Sequence, residues 1–96
     1  MADRELVLPA TVLTTHLEAC AAELAADPGP PDDLAVVLAR LVSGQRHLAA
    51  ALARIAGQLD GAPVADRVAL AEILRAAARA SGHAADALAE GEHLFE

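Results

Sequence analysis

Apolar positions along this chain recur at steps of three and four residues, which is the spacing of helix faces and not of strands. Between Pro9 and the stretch Asp27-Pro28-Gly29-Pro30-Pro31, Leu13, Leu17, Cys20 and Leu24 fall on one stripe at about 100° per residue. This predicts an amphipathic helix over residues 9–26 with that stripe as its core face. Over residues 31–59, Leu34, Leu38, Leu41, Leu48, Leu52, Ile55 and Leu59 form a seam of near-heptad spacing. Gln45 stands in that seam where another leucine is expected. The pattern therefore predicts one buried polar side chain, hydrogen-bonded to a backbone carbonyl, a hydroxyl or its symmetry mate, because an unpaired buried amide costs about 1 to 3 kcal/mol. Over residues 63–90, Val68, Leu70, Ile73, Leu74, Ala77, Ala78, Ala85 and Leu88 spread around half the circumference. An arc that wide can face two neighbours.

Proline and glycine separate these segments. Pro9, Pro31 and Pro63 each fall where a first helical turn tolerates a missing N–H, and Asp32 and Asp33 place negative charge at the positive end of the second helix. Ser81-Gly82 predicts a kink in the third helix, with a short piece from about His83 to Glu90 beyond it. Gly91 predicts a stop that leaves a tail over residues 91–96.

Connections of a few residues force consecutive helices to run antiparallel. The expected fold is all-α: a single helical domain over residues 1–96, an antiparallel up-down three-helix bundle with long second and third helices. The lengths do not match. At about 1.5 Å per residue, the second and third helices reach about 40 Å and the first about 27 Å. A second copy is the expected cover for the overhang, as a homodimer built around Ile73, Ala77, Ala80 and Ala84, where small side chains let backbones approach. Arg75 and Arg79 would stay outside.

Composition supports the helical reading and narrows the function. Of 96 residues 26 are alanine, and Phe95 is the only aromatic, so helix propensity is high and each core position removes little surface from water. All seven positive charges are arginine; with so much Ala, Gly and Pro, this is the codon usage of a high-GC bacterial genome and carries no chemistry. The net charge of −7 disfavours nucleic acid and anionic membranes as partners. Met-Ala-Asp-Arg-Glu lacks the basic and apolar runs of a signal peptide, and no window of about 18 residues is apolar throughout, so the expected compartment is the cytoplasm.

Candidate chemistry is sparse. His16 and Cys20 are spaced i, i+4, but two ligands do not make a metal site, and the pair reads as a buried structural thiol beside a boundary histidine. Glu90-x-x-His93 has the spacing of carboxylate di-iron helices but occurs once, and it straddles Gly91. His47 and His83 fall on solvent sides of their helices. The chain has no nucleophile elbow, glycine-rich phosphate loop or Cys-x-x-Cys pair, so no enzyme, metal or cofactor is expected.

Two features suggest partners. Arg40, His47 and Arg54 repeat every seven residues on a helix with no acidic residue between Asp33 and Asp60. This row reads either as a solvated face loosely paired with Glu18 and Glu23 or as a docking row for an acidic partner. Phe95 either folds back over the end of its own bundle, anchors a partner or belongs to a disordered terminal segment. The function expected is a non-enzymatic protein–protein interaction module, an oligomeric adaptor or assembly subunit. The alternative is a small acidic regulator that binds a basic protein target in the manner of an antitoxin or a nuclease inhibitor. A small-ligand or metal binder could draw only on Gln45, Cys20 and His16.

Overall fold

The computed structural model describes residues 8–29, 33–61 and 64–95. The readings placed on the first five residues, on Pro30, Pro31 and Asp32, on Pro63 and on Glu96 lie outside them. The described residues form three helices and no strand: α1 (Ala10–Ala26), α2 (Leu34–Gln58) and α3 (Ala65–Glu92), followed by one 3-10 turn (His93–Phe95). The all-α class is as expected, and the helix bounds lie within three residues of those read from the sequence. The chain divides into two compact units, residues 1–32 and 33–96.

The first unit carries α1. Pro9 is its N-cap, and the Pro9 carbonyl accepts from the Val12 and Leu13 N–H groups at 3.0 and 3.2 Å. The Thr14 and Thr15 hydroxyls donate back to the carbonyls of Ala10 and Thr11 at 2.6 and 2.7 Å, which satisfies the hydroxyls on the helix itself. Beyond its end, the Asp27 carboxylate accepts from the Gly29 N–H, and Gly29 takes a φ of 77° that suits glycine. No residue of α1 is buried. This corrects the reading of Leu13, Leu17, Cys20 and Leu24 as a core face: all four are exposed, Cys20 is an exposed free thiol, and His16 beside it is exposed too.

The second unit is a helical hairpin. Leu38 on α2 meets Gly91 on α3, Arg46 pairs with Asp86, and Asp60 in the turn pairs with Arg75, so residue numbers rise on α2 as they fall on α3. Gly61, with φ 79°, turns the chain between the helices. Asp60 accepts from Arg75 and through that hydrogen bond holds its guanidinium above its ordinary pKa, an exposed pair that links the turn to α3.

α3 runs 28 residues without interruption. The helix continues through Ser81-Gly82, where the sequence predicts a kink, and past Gly91, where it predicts a stop. Glycine in a helix costs about 1 kcal/mol relative to alanine, which packing along a long partner helix outweighs. Gly91 has a positive role instead. A Cβ there would stand 3.1 Å from the Leu38 Cδ2, so the missing side chain admits a leucine methyl from α2.

The hairpin core is small. Its buried apolar residues are Val42 and Ala56 on α2 and Ala71 and Ala85 on α3. At about 0.8 kcal/mol per buried methylene-sized group, three alanines and a valine contribute little beside a core of leucines. The seam expected to be the core lies off this line: Leu38, Gln45, Leu48, Leu52 and Leu59 are half-buried, while Leu34, Leu41 and Ile55 are exposed. α3 sits to one side of the seam, over the small residues, because alanine lets the backbones close.

Candidate interaction surface

Two apolar stripes remain open on the hairpin. On α2 one runs through Val37, Leu41, Gly44, Leu48, Ala51 and Ile55, at alternating steps of four and three. On α3 the other runs through Leu70, Ile73, Ala77, Ala80, Ala84 and Ala87, again at three and four. Most of these residues are exposed and the rest, Leu48, Ala77 and Ala84, are half-buried; Ile73 is 64% exposed, the most open residue of the pair of stripes among the large ones.

Helix geometry decides whether the stripes form one surface or two. At about 100° per residue, the α2 stripe lies roughly 100° to 160° behind the line of small residues that faces α3, which passes through Val42, Ala49 and Ala56. The α3 stripe also lies roughly 100° to 160° behind its own line of contact, through Ala71, Ala78 and Ala85, in the same rotational sense. In an antiparallel pair, equal offsets of one sense fall on one side. The two stripes therefore make one continuous apolar face. By the same count Arg46, Asp86 and Arg75 fall on the opposite side, where both interhelical ion pairs are found.

At one end of this face Leu34, Val37, Leu38, Leu41 and Phe95 line an open groove of about 220 Å³. The 3-10 turn carries Phe95 back over the start of α2, as the sequence suggested, yet the ring stays 50% exposed and Leu94 points away from any cover. Phe95 extends the apolar face more than it seals it.

Gln45 lies between the core line and the open stripe. It is half-buried, with its Oε1 fully shielded from solvent and without a hydrogen-bond partner. Burial of the amide oxygen agrees with the sequence reading; among the described residues that oxygen has no hydrogen-bond partner.

Arg40, His47 and Arg54 are exposed along the outer edge of α2, away from α3, and make no ion pair among the described residues. The outer edge of α3 is mixed, with Glu72, Arg79, His83 and Glu90 exposed along it. Glu72 reaches Arg75 at 3.8 Å. Of the residues expected at a self-association surface, Ile73, Ala77, Ala80 and Ala84 fall together on the α3 stripe. The sequence reading missed Val37, Gly44 and Ala51, whose four–three spacing was the available signal, obscured by the stronger leucine seam beside it.

Among the described residues no three His, Cys, Asp or Glu side chains gather as metal ligands, and no helix is long and apolar enough to cross a membrane. Glu90 and His93 lie at the junction of α3 with the 3-10 turn, not beyond a helix stop. No protein-family model, curated protein or solved structure matches the chain.

Proposed function

We propose that this protein is a non-enzymatic interaction module that self-associates, serving as an oligomeric adaptor or assembly subunit in the cytoplasm. The observation that carries this reading is the continuous apolar face of the α2–α3 hairpin beside so small a core. Single exposed leucines are ordinary on a soluble protein, but a contiguous apolar patch larger than a few hundred Å² marks an interface. Sedimentation equilibrium at micromolar concentration tests it. The expected result is a species of twice the chain mass that persists at high salt, since apolar burial responds little to ionic strength. A chain that sediments at its own mass under both conditions would sink the self-association reading.

A second reading, a small acidic regulator of a basic protein, draws on α1. Between Ala10 and Ala26 the helix has Glu18 and Glu23 and no arginine, and all of it is exposed with its leucine stripe. Such a helix suits a basic groove. A complex made that way would lose affinity steeply between low and moderate salt, which separates it from the first reading.

A further inference from the structure

We draw no further inference here: the strongest candidate, the open apolar face of the α2–α3 hairpin with the groove of Leu34, Val37, Leu38, Leu41 and Phe95 at one end, carries none because nothing in the structure shows what covers it.

Discussion

The Leu38 Cδ2 methyl occupies the space where a side chain on Gly91 would begin, 3.1 Å from the ideal Cβ position. A helical glycine that admits a neighbour differs from one that merely tolerates its place, and Gly82, with nothing within 4 Å of its Cβ position, is the comparison. Gly82→Ala should stabilise the hairpin by about 1 kcal/mol through helix propensity alone. Gly91→Ala gains the same propensity but must push the leucine methyl aside, so its net gain should be clearly smaller. Urea unfolding of both variants measures the difference, and equal gains would mean that Leu38 moves at no cost.

Ile73→Glu places a charge in the middle of the apolar face. Because Ile73 is exposed in the single hairpin, the substitution should leave helix content and the folding of the hairpin nearly unchanged while weakening self-association by two orders of magnitude or more. Circular dichroism and sedimentation of the same sample report the two effects separately. Loss of helix in step with loss of assembly would mean that the hairpin does not fold without its mate.

Gln45→Leu should raise the melting temperature and make the assembly less uniform. The substitution removes an amide whose unpaired cost is about 1 to 3 kcal/mol and whose pairing selects one register. A fall of several degrees with unchanged assembly would count against this role for Gln45.

The Arg46–Asp86 pair, 3.1 Å apart, is solvent-exposed on both sides, and exposed pairs are worth about 0.2 to 1 kcal/mol. Asp86→Ala should therefore cost no more than about 0.5 kcal/mol, less at high salt, and should not alter the oligomeric state. A loss above 2 kcal/mol in a denaturation experiment would show that the back of the hairpin carries more of the stability than the geometry implies.

The helices were legible in the sequence because alanine content and the three–four spacing act locally: α1, α2 and α3 begin and end within three residues of their expected bounds. Which side of each helix is covered was not, because that depends on what packs where. The leucines of α2 outrank Val42 and Ala56 in hydrophobicity, so the sequence nominates Leu34, Leu41 and Ile55 for the core. Close approach favours the alanines, and α3 settles over them. Glycine misled for a related reason. Gly91 reads as a stop on propensity, but propensity near 1 kcal/mol yields to packing along 28 residues. Spacing alone places Ile73, Ala77, Ala80 and Ala84 on one stripe of α3 and Gln45 on the seam of α2, but only coordinates could show the Gln45 amide oxygen shielded and without a donor.

A core of one valine and three alanines also sets the thermal behaviour of the chain. The heat-capacity increase on unfolding comes from newly wetted apolar surface, and a hairpin that leaves its leucines half-wet has little left to uncover. Its increment should fall well below the usual 12 to 15 cal/mol/K per residue, roughly, giving a broad melt and a shallow stability curve that resists cold as well as warmth. Docked hairpins hide far more, so the increment should grow as the sample is concentrated. Calorimetry across a hundredfold range of concentration would then trace a stability curve that steepens with the amount of protein present, and the breadth of the melt becomes a gauge of how many chains share each core.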